Sequence, residues 1–242
     1  MPTVCLVRPS GYPHAEALAE LEETVRYGLV RSGLWGPAPP RIVLGAHLPG
    51  YQPEVGDIIY NTEHPSSPWW SSGYLELLGT HEVWDYRPDG VGKYVPIGYV
   101  PELTRIDKAD PQDIDVLFYG SMNERRAKVV HDLEAADLNV VTVIGCYGAE
   151  RDALIARSKV VLNMHYYTPG VFEAVRVSYL WANRKCVVSE ESTDRRGVPY
   201  TQLVGQCVDL IMDDTLRTLW QMKNFASFSA ISEANILAEA LK

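Results

Sequence analysis

The sequence predicts an α/β protein made of two doubly wound domains that face each other across a cleft. Short apolar runs alternate with amphipathic stretches along the whole chain, the pattern produced by parallel sheets covered on both faces by helices. A polar, charged segment with two prolines, residues 101–112, interrupts that alternation midway and has the composition of a linker. Beyond it the alternation restarts. The expected domains are residues 1–110 and residues 111–242. In such folds ligands bind beyond the carboxyl ends of the strands, and with two domains the cleft between them is the expected site.

The elements follow in order. Residues 4–8 form an apolar, strand-like run. Residues 15–32 place Leu18, Leu21, Val25 and Leu29 near helical spacing with glutamates between them. Residues 41–48 and 57–61 read as strands, 73–78 as a short helix, and 82–86 and 94–97 as further strands. After the linker, residues 115–119 form a strand that ends at Gly120-Ser121, followed by a helix over 123–136. A Val-rich strand over 139–144 ends at Gly145. A helix over 149–157, a strand over 159–164, a helix over 171–183 and a strand over 186–189 complete the second sheet. Residues 213–242 are mainly helical.

Composition narrows the function. The 242 residues include 31 acidic and 22 basic side chains, a net charge of −9. The hydrophobic content excludes a disordered chain, and no apolar run approaches the roughly 18 residues of a membrane span. The start, Met1 to Arg8, has neither a basic beginning nor a long apolar core, so a cytoplasmic location is expected. The acidic excess is spread over both halves, which disfavours a duplex-binding surface. Cys5, Cys146, Cys186 and Cys207 are far apart and lack zinc-ligand spacing, so they read as core residues.

Three segments carry chemistry. In Phe118-Tyr-Gly-Ser-Met-Asn-Glu-Arg-Arg126 a strand runs through a glycine turn into a helix. The helix N-terminus presents N–H groups, and Gly120 permits close backbone approach. Arg125 and Arg126 lie in the first helical turn, where the helix dipole disfavours cations; an anion such as a diphosphate accounts for them, and a solvated face with Glu124 as counter-charge is the alternative. In residues 158–176, His165, Tyr166 and Tyr167 follow a buried-type strand, and Glu173 and Arg176 lie on one face of a helix that is apolar nearly all round. Charges there need partners or a cleft; an i,i+3 salt bridge and a satisfied core histidine are the plainer account. In Ile59-Tyr-Asn-Thr-Glu-His-Pro65, Glu63 and His64 stand at a strand end and are capable of acid–base work; a strand-ending turn with a helix N-cap at Ser66 or Ser67 is the alternative. The aromatic loop with Trp69 and Trp70 follows. Asp113-Ile-Asp115 precedes its strand instead of emerging from its end, so it is not a metal-binding DxD, and no metal is expected. Walker, G-x-S-x-G, H-E-x-x-H and G-x-G-x-x-G patterns are absent.

The second half resembles the donor-binding domain of GT-B-fold glycosyltransferases. The resemblance rests on Gly120-Ser121 followed by Arg125 and Arg126, on Ile144-Gly145, and on Phe172-Glu-Ala-Val-Arg176 leading to Cys186-Val-Val-Ser-Glu190. Tyr94-Val-Pro-Ile-Gly-Tyr99 is similar to the end of that family's N-terminal domain. The match covers most of residues 57–190, is strongest over 116–190, and is closest to short bacterial and phage glycosyltransferase-like proteins. Two features depart from it. The position seven residues beyond Glu173, glutamate in the family, is Leu180, and Asn183-Arg184-Lys185 replaces the glycine before the Val-Val strand.

The resemblance implies two Rossmann-like domains and transfer of a sugar from a nucleotide-diphosphate donor without a metal or other cofactor. It implies a donor site at Gly120, Ser121, Arg125, Arg126, Gly145, His165, Glu173 and Arg176. Arginines would meet the diphosphate, Gly145 the nucleobase, Glu173 the ribose or sugar hydroxyls, and His165 the sugar or phosphate. Glu63 or His64 would act as base or orient the acceptor, which is a glycan, a small metabolite or a modified nucleic-acid base, the last disfavoured by net charge. The alternatives are a non-catalytic nucleotide-sugar-binding protein of the same fold and an unrelated α/β enzyme such as a two-domain epimerase.

Overall fold

A computed structural model describes residues 1–242. In chain order the elements are β1 (Thr3–Leu6), α1 (Ala19–Arg31), β2 (Arg41–Leu44), β3 (Ile58–Asn61), α2 (Ser72–Thr80), β4 (Glu82–Asp85), β5 (Lys93–Tyr94), β6 (Ile114–Tyr119), α3 (Glu124–Ala135), β7 (Val140–Val143), α4 (Gly148–Arg157), β8 (Ser158–Asn163), α5 (Ala174–Ala182), β9 (Val187–Ser189), α6 (Leu203–Met212), α7 (Asp214–Ser229) and α8 (Glu233–Ala240). The chain divides into two units, Met1–Leu103 with Ser229–Lys242, and Thr104–Phe228.

In the first unit, five parallel strands pair in the order of the sequence, β1-β2-β3-β4-β5. Val43 and Ile59, paired across β2 and β3, pack with Tyr74, Leu77 and Leu78 of α2. Side chains alternate along a strand, so Ile42, Leu44 and Tyr60 serve the other face, and these too are fully buried. Burial on both faces explains why β2 and β3 read as continuous apolar runs. The expected double winding requires a reversal of strand order, and this sheet has none: residues 45–57 between β2 and β3 form no helix, and the chain advances one strand at a time. The strand expected over residues 94–97 shrinks to the two exposed residues of β5.

The second sheet is the doubly wound one. Its order, β7-β6-β8-β9, reverses between β6 and β8, and all its pairs are parallel. Val116, Phe118, Val160, Leu162 and Val188 pack with Val129 and Leu133 of α3 and with Leu203, Cys207 and Leu210 of α6. Leu117, Val161 and Val187 point the other way, onto Ile155 of α4 and onto Val177 and Leu180 of α5. Alternation along each strand thus supplies one core for each face. Leu180, where the family resemblance places a glutamate, is fully buried in the α4–α5 layer.

The chain does not end in its second unit. Residues 229–242, expected in the second domain, belong to the first unit: Tyr99 and Ser232 form a parallel bridge, and α8 packs along α1. A Cβ on Gly28 of α1 would lie 2.6 Å from Glu233 Cγ and 2.7 Å from Leu237 Cδ1, so only glycine permits this approach. Glu233 is completely buried. One carboxylate oxygen accepts the Gly98 amide at 2.5 Å, and the other has no partner. Burial raises its pKa from 4.5 to about 7.

The native carboxyl therefore holds its proton to higher pH than the unfolded one. Its contribution to stability falls as pH rises from 4.5 to about 7, then levels off. Glu233→Gln removes this titration. Relative to wild type, the variant gains about 3 kcal/mol between about pH 5 and about pH 8, from 1.36 kcal/mol per pKa unit. Denaturant unfolding at the two pH values checks it; a constant difference contradicts the assignment.

Candidate functional site

The strand order reverses between β6 and β8, and in such sheets the usual ligand position is beyond the carboxyl ends of the strands at that reversal. The predicted donor residues of the second unit gather here. Gly120, at φ +140°, turns the chain out of β6; a Cβ on it would sit 3.2 Å from Arg176 Nη2 and 3.8 Å from Arg126 Nη1. Asn123 then caps α3, its side chain accepting the Arg126 amide at 2.9 Å and donating to the Tyr166 carbonyl at 3.1 Å.

Arg126 is the centre of the cluster. Its side chain is 3% exposed. Nη1 donates to the Ser121 carbonyl at 2.6 Å and Nη2 to the Met164 carbonyl, so one guanidinium ties the ends of β6 and β8 together. Phe118 and Tyr166 present their rings to it at 5.2 and 5.3 Å. Nη2 stands 3.4 Å from Glu173 Oε1. Nε is buried without a partner. Burial lowers the pKa to about 10, which leaves the group charged at neutral pH.

Glu173 lies one residue ahead of α5, not inside the expected helix, because its backbone (φ −78°, ψ 64°) is not helical. Its carboxylate pairs with Arg176 Nη1 at 2.9 Å. Arg176 Nη1 also donates to Asn163 Oδ1 at 3.0 Å, and the guanidinium lies 5.2 Å from the Tyr119 ring. His165 is buried against Gly170, where a Cβ would lie 2.0 Å from the imidazole Cδ2. Its Nε2 has no partner, and its Nδ1 is 4.0 Å from Glu173 Oε1.

Glu190, just beyond β9, completes the cluster. It accepts the His165 amide at 3.0 Å and pairs through both carboxylate oxygens with Arg125, which lies 4.0 Å from the Tyr200 ring. Sequence reasoning did not single out Glu190, Asn163 or Tyr200; polar residues at the ends of Val-rich strands were the available signal for the first two. Three guanidiniums against two carboxylates leave a positive excess. Gly145 stands at the end of β7 with φ +68° and no atom within 4 Å of a Cβ position.

Asp113 and Asp115 are both engaged away from this edge. Asp113 forms a forked pair with Arg157, and Asp115 accepts from Lys159 Nζ at 2.7 Å and from the Asn139 amide at 2.9 Å.

In the first unit, Glu63 follows β3. Its partner is His47, from the loop after β2, with Nε2 to Oε1 at 3.2 Å. Sequence reasoning missed His47. Burial lowers the His47 pKa to about 4, so its imidazole is neutral at neutral pH, and burial raises the pKa of Glu63. The rings of Trp69 and Tyr74 each lie 5.7 Å from the His47 ring. His64 is not part of this pair: its Nδ1 accepts the Ser66 amide at 3.0 Å within the turn.

No family model matches the chain. Three proteins of Acanthamoeba polyphaga mimivirus are similar to it. Uncharacterized protein L138 is 33% identical over 105 residues, 41% of this chain and 12% of that protein. Uncharacterized protein L140 is 27% identical over 178 residues, 67% of this chain and 59% of that protein. Uncharacterized protein L137 is 26% identical over 139 residues, 54% of this chain and 19% of that protein. The chain thus spans between 12% and 59% of the length of these relatives. Among solved structures, AviGT4, a glycosyltransferase involved in avilamycin A biosynthesis, aligns with a TM-score of 0.49 at 12% identity, over 99% of this chain and 95% of that one. No helix is long and apolar enough to cross a membrane.

Gly170→Ala tests the packing of His165. The added methyl has to displace the imidazole or the loop, at about 1–3 kcal/mol for overpacking. A lower melting temperature is expected; an unchanged one would show that the loop moves freely.

Proposed function

We propose that this chain is a metal-independent glycosyltransferase that moves a sugar from a nucleoside-diphosphate donor to an acceptor hydroxyl. One observation carries the reading. At the switch point of a doubly wound sheet, a buried guanidinium nitrogen and a buried imidazole nitrogen, Arg126 Nε and His165 Nε2, lack protein partners among three arginines. Buried polar groups are normally satisfied, and a phosphorylated ligand supplies oxygens for them. The resemblance of residues 116–190 to donor-binding domains supports the same ligand.

In this reading the diphosphate lies over Gly120 and Ser121, where the backbone permits close approach. Arg126, Arg176 and Arg125 face its oxygens. As the glycosidic C–O bond breaks, negative charge grows on the leaving diphosphate, and fixed guanidiniums stabilise it without a cation. Glu173 holds Arg176 and accepts hydroxyls of the donor. His165 meets the sugar or its phosphate, and Gly145 leaves room for the base. The acceptor oxygen bonds to the anomeric carbon and gives its proton to Glu63, whose raised pKa suits a general base. His47 orients that carboxylate, and His64 shapes its turn. The acceptor is a glycan, a metabolite or a modified base, and the acidic net charge weighs against DNA.

One observation favours a second reading, a non-catalytic nucleotide-sugar binder. Arg125 and Arg176 are already paired with Glu190 and Glu173, an arrangement that is stable without turnover.

A melting-temperature panel of nucleoside diphosphates and their sugar conjugates, with and without EDTA, tests the proposal. A ligand that binds only the native state raises the melting temperature. One nucleotide class is expected to do so equally with and without EDTA. No shift with any of them overturns donor binding, and a shift abolished by EDTA overturns metal independence. Release of free nucleoside diphosphate separates the enzyme from the binder.

A further inference from the structure

The second unit has another feature, at the opposite edge of its sheet. A cavity of about 260 Å³ opens at the amino-terminal ends of β6, β8 and β9, lined by residues 104–108, Gln112, residues 183–185 and Gln221. The switch-point cluster lies at the carboxyl ends of the same parallel strands, so the two sites are separated by the length of the sheet.

Lys185 is the reason to single this cavity out. The residue is 5% exposed, and its ammonium has one hydrogen bond, to the Asp107 carbonyl at 3.4 Å. An ammonium carries three donors, and no carboxylate pairs with this one. Asp152, the acidic group deeper in the unit, is held by Tyr179 Oη at 2.7 Å and by Arg151 at 2.7 Å. Tyr179 Oη in turn accepts from Arg105 Nε at 3.1 Å, which sets Arg105 at the cavity wall. Burial lowers the Lys185 pKa to about 8. The Asp107 and Asp152 carboxylates attract the ammonium from beyond ion-pair distance, and two of its three donors are left for a partner from outside.

The neighbouring residue points the same way. Helix α5 ends in a Schellman turn, with the Lys185 amide bonded to the Leu180 carbonyl at 3.0 Å. The left-handed position of that turn, usually glycine, is Arg184 at φ 54°. A non-glycine residue there is strained, because its Cβ crowds the following carbonyl oxygen. Phe225 holds the Arg184 guanidinium, 4.5 Å from its ring. Cations after a helix also complement its dipole, but an exposed lysine and a glycine would satisfy that without strain or burial. Lys108 adds a further cation, against one carboxylate at Asp107.

We propose that this cavity is a second anion site, built for a phosphate group, either inorganic phosphate or the phosphate of a small metabolite. The cavity lies just below the roughly 300–1,000 Å³ of pockets that take larger ligands. The inference does not depend on the glycosyltransferase reading.

Isothermal titration with inorganic phosphate, with acetate as the singly charged comparison, tests it on wild type, Lys185→Met, Arg184→Gly and Arg125→Ala. Methionine keeps the length of the lysine and removes a buried charge, and glycine relieves the turn, so both variants are expected to melt at or above the wild-type temperature. Each should weaken phosphate binding about tenfold or more, the worth of a charged hydrogen bond. Arg125→Ala, in the switch-point cluster, should leave in place the component of phosphate uptake that depends on Lys185, and acetate should bind more weakly than phosphate. The proposal is overturned if wild type takes up no phosphate at tens of millimolar, about the weakest specific binding worth the name. It is equally overturned if Arg125→Ala alone abolishes uptake, or if acetate binds as tightly as phosphate.

Discussion

The reversal of strand order between β6 and β8 separates two loops that in a sequential sheet would run on to the next strand in the same direction. The carbonyls of Ser121 and Met164, one on each side of that reversal, face a buried position, and a guanidinium donating to both closes it. Arg126 does this from the first turn of α3, against the helix dipole, and Asn123 caps that helix by accepting its amide. Glu173, Arg176, His165 and Glu190 are arranged around this junction.

The charge is held ready and is not free. Glu190 grips Arg125 and Glu173 grips Arg176, so the rotamers of both arginines are set within the protein itself. Glycine does the complementary work. A side chain at Gly120 would press on Arg176, and one at Gly170 would collide with His165.

Much of the second unit was legible in the sequence because burial on both faces makes β6, β8 and β9 near-continuous apolar runs, and each ends at a polar residue or glycine. The salt bridge between Glu173 and Arg176 is the alternative that helical spacing offered, although the helix starts at Ala174, three residues after the expected 171. Long-range packing was not legible. Nothing local marks α8 as part of the first unit; Gly28 and Gly98 make room for Glu233 from far away in the chain. Helix α6 went unassigned because Leu203–Met212 follows a long irregular stretch. The first sheet's sequential order escaped notice, since alternating strands and helices look alike in either winding. His47 was hidden because its partner Glu63 follows a different strand, and Glu190 because its partner Arg125 is 65 residues away in the chain.

The most direct test of a diphosphate site at the switch point is the affinity of the selected nucleoside diphosphate relative to its nucleoside, by titration into wild type and Arg126→Ala, with circular dichroism confirming the fold. With a diphosphate site there, the substitution weakens diphosphate binding by about tenfold or more, the worth of a charge-assisted hydrogen bond, and leaves the nucleoside affinity unchanged. An equal loss for both ligands would contradict it, and would make Arg126 solely the tie between two strands.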